Sequence, residues 1–186
     1  MTSPEPGVYF IVMPGPGLLA SLPRDGGPLC GHAFDTSGSY RQYWRLTHIE
    51  PDGNNPERYC VLTEDMGGNS RTLGVNALQH DENVVGFPRS SDPQRWLINI
   101  YQRDDDGGAG NELVWSVQRE ETGNPIYISY KGQTPYQEWG FLRWSNGRIY
   151  PDFAAKVYDW EKVLISLTLK AKVGPEVTNT NHKKHS

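Results

Sequence analysis

Short apolar segments separated by turn sequences run along most of the chain. The segments GVYFIV (7–12), RYCVLT (58–63) and ELVWSV (112–117) have the length and the β-branched and aromatic content of strands. Further segments of this kind, RTLGVNAL, NVVGF, PIYISY and GFLRW, are bounded by the turn sequences GGN, SSDP, TGN and SNG. No helix is predicted, although DFAAKVYDW could hold a single helical turn. The pattern indicates an all-β protein.

A Gln two residues before a Trp occurs three times, in RQYW (41–44), PQRW (93–96) and YQEW (136–139). Internal repetition at a spacing of this order is typical of folds that are built from repeated units. The first two stretches lie at matching places, because Trp44 follows Tyr9 of the first strand by 35 residues and Trp96 follows Tyr59 by 37.

The third stretch breaks this spacing. Trp139 follows Trp115 by only 24 residues, whereas Trp160 in VYDWEKVLI follows it by 45 and precedes another apolar segment. The spacing therefore predicts that Trp44, Trp96 and Trp160 are equivalent, with Tyr158 where the other two units have Gln. Trp139 is then not a member of the repeat, and it becomes a candidate for a residue on the surface.

The repeat divides the chain into three units of about four strands each. We expect one domain over 1–172, with repeats at about 7–56, 57–110 and 111–172. After Lys172 the sequence VGPEVTNTNHKKHS has too few apolar residues to pack, so 173–186 is predicted to be a flexible tail.

Composition narrows the classes of function. Twenty Gly, fourteen Pro and ten Tyr among 186 residues suit short strands and turns, and the formal charge of −4 argues against nucleic acid or an anionic membrane as a partner. The N-terminal sequence lacks the features of a signal peptide, so a cytoplasmic location is expected. Cys30 and Cys60 cannot form a disulfide framework, and each is interpreted as a small buried apolar residue.

No motif indicates an enzyme. Cys30 and His32 are too close in sequence to suggest a nucleophile and its base, and nothing around them matches a hydrolase signature. The histidines lack the spacing of zinc ligands, and the run DDD at 104–106 lacks the alternating ligands of a calcium loop. We therefore predict a non-enzyme with no cofactor and no metal.

Three four-strand units that each close on Gln-x-Trp resemble the β-trefoil superfamily, which includes the ricin-B-type lectins. The resemblance implies pseudo-threefold symmetry, with the repeated Trp of each unit in a shared core. It also implies that a sugar site would carry an Asp on the second strand and an Asn before the Gln. None of the three units has these residues, so the usual sugar sites are predicted to be absent.

The chain more closely resembles the mycocypins (clitocypin and macrocypin types) and related mushroom protease inhibitors, over about residues 7–170. This resemblance implies that the loop after the first strand (13–21) and the loop at 35–41 cover the cleft of a papain-like protease. A rigid loop suits such a role, because it loses little entropy on docking. The residues implied for these loops are Pro14, Gly15, Pro16, Gly17, Leu18, Ser37 and Gly38.

A second inhibitory loop is implied at 64–72. There Asn69 could be offered to legumain or Arg71 to trypsin, since an Arg suits an acidic pocket and an Asn suits a pocket that reads an amide. Lys156 lies where a related type of serine-protease inhibitor presents a basic residue. For each of these positions an ordinary surface turn is the alternative.

The sequence thus predicts a monomeric protease inhibitor whose partner is a target protease. The alternative is a lectin whose glycan stacks on exposed aromatic residues, namely Tyr136, Trp139 and Trp144. A third reading is a scaffold or defence protein that binds another protein and has neither activity.

Overall fold

The structure is a computed structural model that describes residues 5–13, 15–51, 59–65, 69–89, 93–101, 112–133, 136–144 and 164–169. For 98–101 and 164–169 it gives the backbone only. Several predictions fall outside these ranges: the roles of Pro14, Lys156 and Trp160, and the tail at 173–186.

Fourteen antiparallel strands make up the regular structure of the described residues. In chain order they are β1 (Gly7–Val12), β2 (Leu19–Pro23), β3 (Cys30–His32), β4 (Tyr40–Arg41), β5 (Trp44–Ile49), β6 (Tyr59–Glu64), β7 (Arg71–Gly74), β8 (Glu82–Asn83), β9 (Val85–Pro88), β10 (Trp96–Tyr101), β11 (Leu113–Val117), β12 (Ile126–Tyr130), β13 (Gly140–Arg143) and β14 (Leu164–Leu169).

Alternation along β1 explains why this segment is apolar at every position. Tyr9 and Ile11 point into the main core, whereas Phe10 and Val12 point to the opposite face, where a second apolar cluster covers them. A strand that is buried on both faces reads as a continuous apolar run, which is the pattern that the sequence shows.

Strand pairing repeats three times with one register. In each unit a first strand pairs with a second strand, the second pairs with a third, and a fourth strand follows the Gln-x-Trp motif. The first-to-second pairs are Val12 with Leu19, Thr63 with Thr72, and Thr168 with Val114. The second-to-third pairs at the same positions are Leu19 with His32, Thr72 with Phe87, and Val114 with Ser129.

The third unit takes its first strand from the last strand of the described residues, β14. Strand β14 pairs along all six residues of β10, just as β6 pairs along all six residues of β5. It also pairs with β11, as β6 does with β7. The position that β1 and β6 hold in the first two units is therefore held by β14 in the third.

This arrangement corrects the prediction for ELVWSV. The apolar pattern predicts 112–117 as the first strand of the third unit, but β11 is the second strand, equivalent to β2 and β7. The error arose because apolar content cannot distinguish a first strand from a second one.

The Trp of each Gln-x-Trp motif is fully buried and joins the fourth strand to the second strand of its own unit. Its indole N–H donates to a main-chain carbonyl 24, 23 or 24 residues earlier in the chain. The three bonds run from Trp44 to Ala20 (2.9 Å), from Trp96 to Leu73 (3.1 Å) and from Trp139 to Trp115 (3.2 Å).

Trp139 is therefore the third member of the repeat, and its predicted place on the surface is wrong. Its exposed fraction is 0%, the same as for Trp44 and Trp96. The spacing that recurs in all three units, 23 or 24 residues, runs from the second strand to the Trp of the motif. Trp115 and Trp139 are separated by this same spacing, so it marks Trp139 as a member of the repeat. The role predicted for Trp160 lies outside the described residues.

The Gln of the motif holds the loop between the third and fourth strands. Gln42 donates to Ser21 Oγ and to the carbonyl of Ala33, and Gln137 donates to the equivalent Ser116 Oγ and carbonyl of Tyr130. Each Gln also accepts from a loop N–H, that of Asp35 or of Gly132. These buried amides are satisfied at both ends, which fixes the loops.

The second unit uses its Gln differently. Gly74 stands where the other units have Ser21 and Ser116, and a Cβ added there would lie 2.7 Å from Oε1 of Gln94. The Gln94 amide instead bonds both the N–H and the carbonyl of Val75. The absence of a side chain at Gly74 leaves room for the Gln94 amide in this position.

A ring of three main-chain hydrogen bonds joins the units. The N–H of Leu29 donates to Val84, that of Val84 donates to Ile126, and that of Ile126 donates to Leu29, at 2.7 to 2.8 Å. All three residues are fully buried. Equivalent residues that bond in a closed cycle indicate a pseudo-threefold axis at this point.

The core is asymmetric at one position. Trp115 occupies the place of Ala20 and Leu73, and its ring contacts those of Trp96 and Trp139 edge to face, with centroids 5.2 and 5.9 Å apart. Among the described residues its buried indole N–H has no hydrogen-bond partner.

Within the described ranges of the chain, no helix is long and apolar enough to cross a membrane.

Substituting Trp139 and Trp115 by Phe separates these roles. Both changes remove the same volume from the same group of rings, but only Trp139→Phe removes a formed hydrogen bond and leaves the carbonyl of Trp115 without its donor. We expect Trp139→Phe to lower the free energy of unfolding by about 1–2 kcal/mol more than Trp115→Phe. Urea denaturation measures this difference, with Trp144→Phe as the control for a partly buried Trp outside the main core. Equal losses in the free energy of unfolding for the Trp139 and Trp115 variants would contradict the expectation.

Candidate functional site

Leu29, Val84 and Ile126 form the main-chain hydrogen-bond ring at the pseudo-threefold axis. The residue three positions before each of them is not the same in all three units. This residue is Gly26 in the first unit, Asp81 in the second and Gly123 in the third. All three adopt positive φ, at 105°, 66° and 88°. Two units use glycine for this left-handed backbone, as steric considerations favour, and the second unit uses an aspartate.

Asp81 is the one non-glycine residue with positive φ in the described part of the chain. Its N–H donates to the carbonyl of Ile128 at 2.8 Å, just as Gly123 donates to the equivalent Gly31. In the second and third units this residue is thus bonded to another unit, whereas Gly26 donates to the carbonyl of Pro23 in its own unit at 3.4 Å. A side chain at such a position costs on the order of 1 kcal/mol, so its presence directs attention to the carboxylate.

The Asp81 carboxylate is part of a group of side chains at the junction of the second and third units. Its Oδ2 lies 2.9 Å from Nδ1 of His80. The His80 ring stacks on Tyr130 with centroids 5.4 Å apart, and its Nε2 lies 2.8 Å from Oε1 of Gln133. We call His80, Asp81, Tyr130 and Gln133 the His80 cluster.

Rigid elements hold the two sides of this cluster together. Strand β8 pairs with β12 through Asn83 with Tyr127 and Glu82 with Ile128. Burial, together with the nearby Asp81 carboxylate, raises the pKa of Tyr127 above its ordinary value. The loop that carries His80 is therefore fixed against the strand that carries Tyr130.

The cluster is open to solvent and polar at its rim. Tyr130 is 39% exposed, and the side chain of His80 is 37% exposed. The Glu82 carboxylate beside them accepts from the amides of Asn76 and Gln79. An exposed aromatic ring with amides and carboxylates around it can stack on an apolar ring face and bond the hydroxyl groups at its edge.

The three aromatic residues predicted to stack on a sugar lie elsewhere. Trp139 is in the core, as described above. Tyr136 is partly buried against the main core, and Trp144 is partly buried against Phe10 and Tyr43 on the outer face of β1. The structure does not bring these residues together as a binding surface.

The loop predicted to enter a protease cleft is a tight turn. Met13 donates to the carbonyl of Leu18 at 2.8 Å, and Gly17 donates to the carbonyl of Met13 at 3.2 Å. Gly15 and Pro16 are exposed, Gly17 is half-buried, and Leu18 is buried in the protein. The Leu18 side chain is thus packed inside the protein, and Gly15 and Pro16 at the tip of the turn face solvent.

Ser37 and Gly38 lie in an exposed turn that Asp35 organises. The Asp35 carboxylate accepts from the Ser37 hydroxyl at 2.6 Å and from the N–H groups of Ser37 and Tyr40. The hydrogen bond from the Ser37 hydroxyl is the main reason why the pKa of Asp35 falls to about 2. The carboxylate therefore serves to order its own loop.

Of the second predicted loop, Asn69 is exposed but Arg71 is tied down. Arg71 donates through Nε and its terminal nitrogen to Glu64 at 3.0 and 2.7 Å, and to the carbonyl of Pro23 at 3.1 Å. Glu64 is only 5% exposed, so the pair is largely shielded from water. These contacts argue against Arg71 as the residue offered to trypsin, because offering it would remove the charged side-chain partner of a buried carboxylate.

Both cysteines are free, buried thiols, as the sequence suggested. Burial raises the pKa of each thiol, which keeps it in the unreactive protonated form. No group of His, Cys, Asp and Glu side chains within the described ranges could hold a metal ion.

The sequence did not point to the His80 cluster. From the sequence, His80 is one of five histidines without zinc-ligand spacing, and Tyr130 is part of an apolar strand. They lie 50 residues apart and meet because the second unit packs on the third. The one local signal is an Asp at a turn position where glycine is the common choice.

Comparison with known proteins identifies the fold. No protein-family model matches the chain, and no curated protein sequence matches it. The similar solved structures include two with a TM-score of 0.54 each, over 77% of this chain and 99% of the other chain. They are the Rhizoctonia solani agglutinin, at 19% sequence identity, and the Macrolepiota procera ricin B-like lectin in complex with lactose, at 14%.

The fold is a β-trefoil. The predicted three four-strand units with pseudo-threefold symmetry are confirmed, and the structural relatives are of the ricin-B-like kind. At these identities the likeness establishes the fold alone, and the finer resemblance to the mycocypins stays a prediction.

Substitutions at Asp81 test whether the left-handed backbone is imposed by the fold. Asp81→Gly relieves the conformational cost and Asp81→Ala retains it, so we expect the Ala variant to be less stable than the Gly variant by about 1 kcal/mol. Gly123→Ala is the matched control, because an added Cβ there meets no atom within 4 Å and reports the backbone cost alone. Free energies of unfolding in urea give the answer, and equal stability of the two Asp81 variants would show that the backbone relaxes freely.

Proposed function

We propose that the protein binds carbohydrate and that the His80 cluster is its binding site. The observation that carries the proposal is Tyr130, an exposed ring supported on one face by His80 and bordered by the polar groups of Asp81 and Gln133. A sugar has both of the matching surfaces, an apolar ring face and a rim of hydroxyl groups.

Preorganisation supports this proposal. Tyr130 extends from β12, and its carbonyl is held by Gln137. Asp81 is fixed by the hydrogen bond of its own N–H to Ile128. Groups that are already held in place lose little entropy when a ligand binds, which matters for a small ligand with few contacts.

Charge limits the class of glycan. The cluster contains the Asp81 carboxylate, Glu82 is the next residue along the chain, and the formal charge of the whole chain is −4. Like charges at short range oppose binding of an acidic sugar. The proposed ligand is therefore a neutral glycan.

The structural relatives agree with a carbohydrate partner. One of them is an agglutinin, and the other was solved in complex with lactose. The sugar-site residues implied by the ricin-B resemblance are missing from this sequence, so the proposal places the ligand at the junction of the second and third units.

Removal of the Tyr130 ring tests the proposal. We expect Tyr130→Ala to lower the affinity for a neutral glycan by about tenfold or more, because it removes the stacking surface. Tyr130→Phe retains the ring and should retain most of the affinity. Binding of lactose and of a printed panel of neutral and sialylated glycans measures the effect.

Tyr40→Ala is the matched control, since Tyr40 also stacks on a histidine, His32, with centroids 4.1 Å apart. It should bind as the unsubstituted protein does. Loss of binding in both Tyr variants, or binding that survives in Tyr130→Ala, would count against the His80 cluster.

Protease inhibition is the second hypothesis, and one observation favours it. The turn at 15–18 is closed by two main-chain hydrogen bonds and presents Gly15 and Pro16 to solvent, as a preformed inhibitory loop would. Arg71 does not contribute, for the reason given above.

Titration of papain, trypsin and legumain with the full chain decides this second hypothesis. If it holds, papain activity falls in proportion to added protein until the two are equimolar, because the loop fills the cleft reversibly and tightly. Residual activity that is unchanged at micromolar concentrations of the protein would rule the hypothesis out.

A further inference from the structure

Three large apolar side chains are exposed in the described part of the chain, and two of them belong to one junction. Leu78 is 46% exposed, Tyr130 is 39% exposed and Phe34 is 37% exposed. Leu78 lies two residues before His80, so the Cα atoms of these two residues are at most about 7 Å apart. The His80 ring in turn stacks on Tyr130. Leu78 is thus a second exposed apolar side chain next to the His80 cluster.

A single carboxylate holds the loop on both sides of Leu78. Glu82 accepts from the side-chain amide of Asn76 at 3.2 Å and from that of Gln79 at 3.3 Å. The Glu82 N–H also donates to the carbonyl of Gln79 at 3.4 Å, which closes the turn through His80. Scattered exposed apolar residues are common on protein surfaces, but Leu78 is exposed on a loop that is held in place.

The equivalent residues of the other two units contact the unit that follows. They lie six residues before the axis residue, as Leu78 does, and are Pro23 in the first unit and Glu120 in the third. The carbonyl of Pro23 accepts from Arg71, the residue that begins the second strand of the second unit, at 3.1 Å. A Cβ added to Gly15, in the turn between β1 and β2, would lie 2.9 Å from Oε1 of Glu120.

Leu78 lies at the junction that is built differently. In the third unit the first strand, β14, and the second strand, β11, are far apart in the chain, so no short turn joins them as one joins β1 to β2. At this junction the residue six before the axis is apolar and exposed. Because removal of an apolar side chain from water is favourable, a ligand that covers Leu78 is stabilised by that contact.

We propose that the glycan site continues from Tyr130 to Leu78 and that its ligand is a neutral glycan of two or more linked sugars. One sugar ring stacks on Tyr130, and the apolar face of the next sugar covers Leu78. A second sugar that is already linked to the first adds this contact without a second loss of translational freedom. This inference rests on the proposed carbohydrate function.

Matched monosaccharides and disaccharides test the proposal on the full chain. The probes are methyl β-galactoside with lactose, and methyl N-acetylglucosaminide with diacetylchitobiose, and their affinities are measured by NMR titration. In the pair that binds more tightly, we expect the disaccharide to bind about fivefold more tightly than the monosaccharide, because it also covers Leu78. Leu78→Ala should abolish this difference and leave the affinity for the monosaccharide unchanged. A difference that survives in Leu78→Ala would overturn the proposal, as would equal affinities in the unsubstituted protein.

Two further variants serve as controls. Leu78→Met retains a large apolar side chain and should retain the preference for the disaccharide. Phe34→Ala removes a similarly exposed side chain that contacts Phe10 on the outer face of β1, with ring centroids 5.9 Å apart. It should bind all four probes as the unsubstituted protein does. Loss of the preference in Phe34→Ala as well would refute its assignment to Leu78.

This proposal and the carbohydrate function fail in different ways. The NMR signals of the Leu78 methyl groups should shift when the disaccharide is added and stay in place when the monosaccharide is added. If a sugar binds in a manner that depends on Tyr130 but these signals stay in place with both sugars, only the extension to Leu78 is refuted. If none of the probes and no glycan of the printed panel binds, the carbohydrate function fails, and the extension fails with it.

Discussion

One hydrogen bond, made three times, sets the frame of this protein. In each unit an indole N–H reaches from the start of the fourth strand to a carbonyl of the second strand, as Trp44 does to Ala20. Burial of a Trp removes a large apolar area from water, but its N–H then needs a partner. A main-chain carbonyl of the second strand supplies that partner in all three units. Core packing and hairpin position are thus joined in a single contact, and the backbone ring of Leu29, Val84 and Ile126 links the three hairpins to one another.

A frame that repeats three times provides its own internal comparison. Where all three units agree, as at the buried Trp, the residue is explained by the fold. Where one unit differs, a local cause is required. Gly74 differs because the Gln94 amide crosses above it, and Trp115 differs because a larger side chain fills the centre and forgoes a partner for its N–H. Asp81 differs with no such packing reason, since the equivalent Gly26 and Gly123 adopt positive φ without a side chain. That contrast is what separates a candidate binding residue from a structural one.

The sequence predicted the strand content, the three units and the buried role of Trp44 and Trp96, because apolar periodicity and the Gln-x-Trp motif are local signals. It failed for the third unit, because the conserved distance runs from the second strand to the Trp and because the first strand of that unit, β14, comes last in the chain. The contact of His80 with Tyr130 could not be predicted, since it depends on how one unit packs on the next. The left-handed backbone of Asp81 could not be predicted for the same reason, because the Asp81 N–H is bonded to Ile128 of the neighbouring unit.

Placement of a binding site at a junction between units follows from the same frame. The strands of a unit contribute side chains to the core. Their main-chain N–H and C=O groups bond to neighbouring strands or to the Gln of the motif. The loop from the second to the third strand leaves its unit and lies on the next one, as the bond from Asp81 to Ile128 shows. Two surfaces of independent sequence meet there on a rigid support. Side chains such as His80 and Tyr130 therefore lie outside the core, where a substitution changes the surface of the junction without disturbing the packing.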